Sequence, residues 1–334
     1  MEHLDSTPPQ SDERSTETQQ VPSGLLQPAP TPSFNQRVHG LFVGPEGLRS
    51  GWRFVLFVGL WFAALYLLNG LSHLIVAREP RGIWAALSDE TRRLLATILA
   101  TVAMMRLDKR PFGDYGLPLR FAFGKNFWVG AVWGIVSLSV LIFSLDGVGD
   151  FTISGLALHG VRVWKFAAFW GMFFLLVGLF EEFLFRGYSQ FTLTRGMGFW
   201  PAALLLSLIF GFSHLGNDNE SWIGAAAVIV IGLFFCLTLH RTGTLWFAVG
   251  FHASWDWGES YLYSIPDSGE VAPGHLLNSS LHGSRWITGG TVGPEGSVFA
   301  FAVVALTAVA FARAYPRVAC GATGADSSSL RSPE

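Results

Sequence analysis

Charged residues are scarce in this sequence: Asp, Glu, Lys and Arg make up 14% of its 334 residues, against about 25% in an average soluble domain. A basic surplus is also lacking, because the net charge is −2, which excludes a nucleic-acid-binding protein. With two cysteines, Cys236 and Cys320, the chain is neither a disulfide scaffold nor a cysteine-rich zinc module. Half of the residues are hydrophobic, which excludes a disordered chain. Few charged residues and many hydrophobic ones together indicate a polytopic membrane protein.

Long hydrophobic runs, by contrast, are frequent. A helix needs about 20 apolar residues to cross a bilayer core of about 30 Å. The runs that approach this length are 54–76, 92–107, 126–145, 166–186, 199–215, 221–240, 243–264 and 296–314. We therefore predict an all-α fold, a polytopic transmembrane helical bundle of about eight spans, of which 92–107 and 199–215 are the shortest.

Composition also predicts the domain organisation. Residues 1–45 are rich in Pro, Ser, Thr and Gln and predict a disordered tail, and 316–334 predict a second one. Between the tails, 46–158 hold the N-terminal transmembrane helices and 159–315 hold the polar motifs described below. No internal repeat is visible.

The distribution of positive charge predicts the orientation in the membrane. When the segments between spans are numbered alternately from the inside, the inner set holds twice as many Lys and Arg residues as the outer set. Cytoplasmic loops carry this excess, so we expect both termini in the cytoplasm. The loop 265–295, with its Pro and Gly turn signals, is then extracytoplasmic. The absence of a signal peptide or targeting segment favours a multi-pass protein of the cell (inner) membrane.

Two adjacent carboxylates follow the apolar part of the fourth span. Glu182 and Arg186 are four residues apart and share one helical face, so they can pair, whereas Glu181 points elsewhere. One interpretation is that these charges mark the cytoplasmic end of the span. However, an apolar helical rhythm continues after Arg186 toward residue 194. The helix is therefore expected to run on, which places Glu181 inside the bilayer.

Two histidines lie on later spans. Phe210 and His214 end an apolar run, where a lone histidine is often merely an interfacial or packed residue. His252 and Asp256 are four apart on one face of an otherwise uncharged aromatic segment. Ionisable groups inside spans are expensive, and they mark functional sites. From a rise of about 1.5 Å per residue, His214 reaches the level of Glu181 and His252 falls short of it by about 10 Å.

Together the three clusters suit the activation of water. A Glu can act as general base, His as an orienting group or metal ligand, and further polar groups can donate to an oxyanion. Tilt can absorb the difference in depth. We therefore expect the clusters to converge in a pocket that opens toward the cytoplasm.

These motifs resemble the CPBP family, the CAAX protease and bacteriocin-processing (Abi) intramembrane proteases. Its pattern is Glu-Glu-x-x-x-Arg, then Phe-x-x-x-His, then His-x-x-x-Asn or Asp on successive membrane helices. All three occur here in order, and 108–117 also resembles the segment that often precedes the domain. The resemblance covers roughly 160–310, so that 159–315 is expected to be a CPBP-like protease domain.

The resemblance implies an integral membrane endopeptidase, a hydrolase commonly called a metalloprotease, that acts on a protein or peptide substrate. CAAX-type C-terminal processing would make that substrate lipid-modified; bacteriocin-related processing or self-immunity is the other role. By position, Glu181 and His214 would activate water, and His252 and Asp256 would stabilise the oxyanion. Glu182 and Arg186 would hold these groups in place, with Phe210 packing around them. The candidate ligands of a catalytic zinc are Glu181, His214, His252 and Asp256.

Other interpretations stay open at this point. A non-catalytic membrane scaffold or immunity protein could keep the same fold, and a transporter could use the polar cluster as its binding site. Two rival protease chemistries are disfavoured. Gly147-Val148-Gly149-Asp150 matches an aspartyl-protease motif but falls in a polar turn, and Ser213 adjoins His214, so their side chains diverge on a helix.

Overall fold

The computed structural model describes residues 39–316 except 46, 76–79 and 218. The greater part of both predicted tails, including Cys320, lies outside the described residues. At the end of the segment predicted to be the N-terminal tail, residues 39–42 are helical, and β1 (Val43–Gly44) pairs antiparallel with β2 (Gly47–Leu48).

Helices dominate the described chain. Their bounds are α1 Ser50–Ile75, α2 Ile83–Asp108, α3 Lys125–Gly147, α4 Val161–Glu182, α5 Gln190–Met197, α6 Phe199–His214, α7 Trp222–Thr242, α8 Trp246–Trp257, α9 Arg285–Thr288 and α10 Val298–Ala314.

The all-α prediction missed one antiparallel strand pair besides β1 and β2. β3 (Phe151–Leu156) follows α3, and β4 (Leu277–Leu281) lies in the long loop before α10, with Phe151 opposite Leu281. The partners are more than a hundred residues apart in sequence.

Four helical segments of the described chain are long and apolar enough to cross a membrane. They are Ser50–Leu74, Lys125–Gly147, Val161–Met197 and Trp222–Thr242. The helices α6 and α10 are apolar but shorter, and α8 has 12 residues. The structure therefore supports an integral membrane protein, while the count of eight spans stays a prediction.

The third of these segments is longer than a single span because α4 continues into α5. Residues Phe183–Ser189 form a π-helical turn between them, and Gly187 leaves helical geometry with φ −80° and ψ −117°. A Cβ at Gly187 would lie 2.6 Å from the ring of Phe183. The expected extension of the helix past Arg186 is confirmed, and such π-turns are frequent at functional sites.

The helix α8 lies at the centre of the bundle between α3 and α4. A Cβ at Gly130 of α3 would collide with the carbonyl oxygen of Phe247, and one at Gly250 of α8 with that of Phe127. On the other side, a Cβ at Gly178 of α4 would lie 3.3 Å from the carbonyl oxygen of Val249. Small residues let helix backbones approach this closely in membrane proteins. As a result, most of α8 is buried.

The segment that links α2 to α3 packs beneath α8. The backbone N–H of Leu245 donates to the carbonyl oxygen of Gly116 at 2.8 Å. The ring of Tyr115 lies 5.2 Å from that of Tyr188 in the π-turn, and its hydroxyl donates to Asp108. This segment therefore connects the N-terminal helices to the helices that carry the motifs.

One face of the bundle is formed by the segments 148–160, 215–221 and 258–297, which we call the loop face. The β3–β4 pair joins the first of these segments to the third. The side chain of Asn219 donates to the carbonyl oxygen of Gly269. The hydroxyl of Tyr261 donates to the carbonyl oxygen of Val163 at the start of α4. These contacts place the N-terminal end of α4 at the same face.

Candidate active site

The predicted pair between Glu182 and Arg186 forms in the interior. Their side chains are fully buried, and Arg186 Nη1 lies 3.2 Å from Glu182 Oε1. The guanidinium also lies 4.3 Å from the ring centre of Phe210. A Cβ at Gly232 of α7 would lie 2.5 Å from Arg186 Nη2. The guanidinium of Arg186 therefore occupies space that any side chain at position 232 would take.

His252 is held between three carboxylates. Its Nδ1 is 3.0 Å from Glu182 Oε1, and its Nε2 is 3.6 Å from Glu181 Oε2 and 3.4 Å from Asp256 Oδ2. The ring stacks on Phe235 at 5.4 Å. Glu182 therefore links Arg186 to His252 and orients the imidazole. The expected difference in depth of about 10 Å between His252 and Glu181 is wrong, because close packing of α4 on α8 brings them to one level.

His214 is the last residue of α6. Its Nδ1 lies 2.9 Å from the carbonyl oxygen of Phe210, and because a carbonyl only accepts, Nδ1 carries the proton. In the neutral ring Nε2 then accepts hydrogen bonds, so it can accept one from a water molecule, as a base or a water-orienting group must. The ring packs edge-on against Phe210, with ring centres 4.7 Å apart.

Glu181, His214, His252 and Asp256 line one cavity of about 270 Å³. Thus α4, α6 and α8 bring the four predicted catalytic residues to a common space. Glu182 and Arg186 lie behind it and Phe210 lines it. Neither Asp150 nor Ser213, the residues of the rival protease chemistries, is part of the described lining.

The structure adds acidic residues that the motifs did not reveal. Single carboxylate oxygens of Asp256, Asp267 and Glu295 lie within 4.8 Å of one another. Asp267 accepts a hydrogen bond from Ser260 Oγ at 3.0 Å. Burial, and then the neighbouring carboxylates, raise the pKa of Asp267 well above its usual range. From the sequence, Asp267 and Glu295 are ordinary loop charges, and they join the site through tertiary contacts.

Part of the cavity lining comes from the loop face. It includes Asn217 of the α6–α7 loop, Asp267, Ser268, residues 270–273, and Glu295. The loop 265–295, expected to be extracytoplasmic, thus forms part of the wall of a pocket that we expect to open toward the cytoplasm. Both expectations stay predictions. Span alternation alone could not reveal that the loop joins the pocket wall, since it does not specify toward which end of the helices the cavity opens.

A zinc ion at the predicted ligands stays a prediction. His252 Nε2 approaches Glu181 and Asp256, but in the described chain the donor atoms that converge within 4.8 Å are oxygens of Asp256, Asp267 and Glu295. Protein zinc sites contain histidine nitrogen or cysteine sulfur, in some cases together with carboxylate oxygen. Three carboxylate oxygens instead suit a hard cation such as Mg²⁺ or Ca²⁺.

The fold and the site together define a polytopic membrane protein with a partly buried acid–base centre. Residues 163–258 match the family model described as type II CAAX prenyl endopeptidase Rce1-like. This segment runs from α4 to the end of α8 and contains all three motifs, so the resemblance to the CPBP family is confirmed. A search of curated proteins found no match.

Proposed function

We propose that this protein is an integral membrane endopeptidase that hydrolyses a peptide bond with water activated by Glu181 and His214. The observation that carries the proposal is the shared cavity, in which these two side chains accompany His252 and Asp256. The family match supports a protease, and the apolar helices support its place in a membrane.

In the proposed mechanism, Glu181 removes a proton from water as its oxygen attacks the carbonyl carbon of the substrate. His214 Nε2 accepts the second hydrogen bond of the water and orients it. The carbonyl π electrons move to the oxygen, and this oxyanion accepts hydrogen bonds from Nε2–H of His252, protonated on both ring nitrogens, and from protonated Asp256. The C–N bond then breaks, and Glu181 returns its proton to the leaving amine. Hydrolysis thus gives a new carboxyl end and a new amine.

Glu182 and Arg186 are positioning residues in this scheme. Glu182 receives a hydrogen bond from His252 Nδ1, which directs Nε2 toward the cavity. Arg186 neutralises the charge of Glu182, so the carboxylate beside the imidazole is not an unpaired buried charge.

The test is peptide hydrolysis by the full-length protein in liposomes. Quenched fluorescent peptides, with and without a prenylated C-terminus, report both CAAX-type and internal cleavage. We expect Glu181→Gln and His214→Ala to lower kcat by about 100-fold or more, the usual effect of removing an acid–base group. Asp146→Asn and His159→Ala, at exposed positions outside the cavity, are matched controls that keep full activity.

Retained hydrolysis in both cavity variants would remove the assigned mechanism. If both variants also supported the cellular phenotype that deletion of the protein abolishes, the non-catalytic scaffold or immunity role would replace the protease.

A further inference from the structure

The two walls of the cavity differ in chemistry. Trp170, Phe173 and Phe174 of α4 form an apolar wall. Another part of the lining, which we call the acidic wall, comes from the long loop before α10, which contributes Asp267, Glu270 and Glu295. That loop lies beyond the segment that matches the family, which ends at residue 258.

Positive charge does not balance this acidic wall within the described lining. Arg93 is the one Lys or Arg among the lining residues, and it is bonded at 2.6 Å to Glu90 on its own helix. Behind the wall, Glu259 is fully buried, and its Oε1 has no hydrogen-bond partner in the described structure. Its Oε2 accepts from Trp255 Nε1, which also donates to Glu295. The wall is therefore backed by a further buried carboxyl group.

The carboxylates of the wall are oriented before any ligand arrives. Ser260 Oγ donates to Asp267, and Ser268 Oγ donates to one oxygen of Glu295. The remaining lone pairs are available to a donor in the cavity. With oxygens of Asp256, Asp267 and Glu295 within 4.8 Å of one another, a guanidinium or ammonium group can reach several of them at once.

We infer that the cavity selects peptide substrates with a basic side chain, held by Asp267 and Glu295, next to an apolar residue held by the wall of Trp170, Phe173 and Phe174. This inference rests on the proposed endopeptidase function and specifies its substrate class. A basic side chain is favoured over a metal ion because the acidic lining extends beyond the three converging oxygens to the exposed Glu270, and because the same cavity has apolar aromatic lining for the neighbouring residue. A free C-terminal carboxylate would find no matching partner on this wall.

Binding measurements test the substrate class independently of hydrolysis. The probes are fluorescent peptides with one central arginine flanked by leucine and phenylalanine, and the same peptides with neutral citrulline in its place. We expect the full-length protein in nanodiscs to bind the arginine peptide about tenfold more tightly, since hydrogen bonds to charged groups carry free energies of this order. Added salt should reduce the preference.

The double variant Asp267→Asn, Glu295→Gln should bring the affinity ratio near one and leave citrulline-peptide binding unchanged. Asp146→Asn, an exposed carboxylate outside the cavity, should keep the full preference. If the double variant does not fold, Glu270→Gln at the exposed end of the wall should lower the ratio partially.

Equal affinities of the wild type for the two peptides would overturn the inference. So would a citrulline-peptide affinity that rises with Mg²⁺ or Ca²⁺ and loses this response in the double variant, because the carboxylates would then be a metal site. A clear arginine preference without hydrolysis of any peptide would uphold the substrate class and refute the protease function instead.

Discussion

At the scale of single residues, the buried pair of Glu182 and Arg186 determines how the site is held. Arg186 has no exposed side-chain area, and its Nε and Nη2 lack hydrogen-bond partners among the described residues. Its stabilisation therefore comes from Glu182 and from the ring of Phe210. Breaking such a pair leaves an uncompensated buried charge, whereas replacing both partners costs far less.

We predict that Arg186→Met lowers the free energy of unfolding by about 3–5 kcal/mol. The double variant Glu182→Gln, Arg186→Met should lose less, because no buried charge is left alone. Chemical unfolding in detergent micelles measures both. A double variant less stable than Arg186→Met would show that the pair does more than neutralise charge.

The acidic wall predicts a conflict between stability and binding at Asp267. Burial, with added repulsion from Asp256 and Glu295, raises the pKa of this carboxyl, against smaller opposing effects of Ser260 and His252. The folded state thus retains a proton that the unfolded chain loses above the ordinary pKa of 3.8. Ionisation of Asp267 therefore destabilises the fold progressively as the pH rises.

Asp267→Asn should accordingly raise Tm at neutral pH while it weakens binding of the arginine peptide. The gain in Tm should shrink as the pH falls toward 3.8, the ordinary carboxyl value, because the wild-type side chain is then protonated in both states. Thermal unfolding in detergent across this pH range measures the effect. A gain that does not vary with pH would indicate a packing effect instead.

At the scale of elements, the close crossings of α8 with α3 and α4 position His252. The contacts at Gly130 and Gly250 leave no room for a larger residue, and the contact at Gly178 leaves little. A methyl group at Gly250 would collide with the backbone of α3, so α8 would have to move away. The distance between the side chains of His252 and Glu181 would then change, because the two residues lie on different helices.

Gly250→Ala is therefore expected to cost about 1–3 kcal/mol of stability and to lower peptide hydrolysis further than stability alone explains. Gly59→Ala is the matched control, because a Cβ at Gly59 in α1 meets nothing within 4 Å. That change should be neutral or stabilising by up to about 1 kcal/mol. Normal hydrolysis by Gly250→Ala would mean that the crossing does not set the geometry of the site.

The elements also show where prediction from sequence succeeds. The i, i+4 spacing of Glu182 and Arg186 is a local helical property, and their pair forms as predicted. The rhythm after Arg186 likewise predicted the continuation into α5. By contrast, the pairing of β3 with β4 and the approach of Asp267 to Asp256 depend on the folded arrangement of distant segments. Local sequence does not specify the partner of either segment.

At the scale of the whole molecule, the side of the membrane that the cavity faces determines where the substrate comes from. The loop face carries the pocket wall, and the segment 109–124 lies at the opposite ends of α2 and α3. The excess of Lys and Arg predicts that this opposite end is cytoplasmic. The loop face is then extracytoplasmic, and we predict that the substrate approaches from that side rather than from the cytoplasm, where CAAX-type C-terminal processing would take place.

Cysteine labelling in intact cells tests this orientation. In a background of Cys236→Ala and Cys320→Ala, we would introduce either Val271→Cys on the loop face or Leu119→Cys between α2 and α3, both at exposed positions. A membrane-impermeant maleimide should label the first variant in intact cells and the second only after permeabilisation, because the spans separate the two positions. The reverse result would restore a pocket open to the cytoplasm and assign loop 265–295 to that side. Labelling of both variants in intact cells would contradict the spanning arrangement itself, since α3 would then fail to separate its two ends.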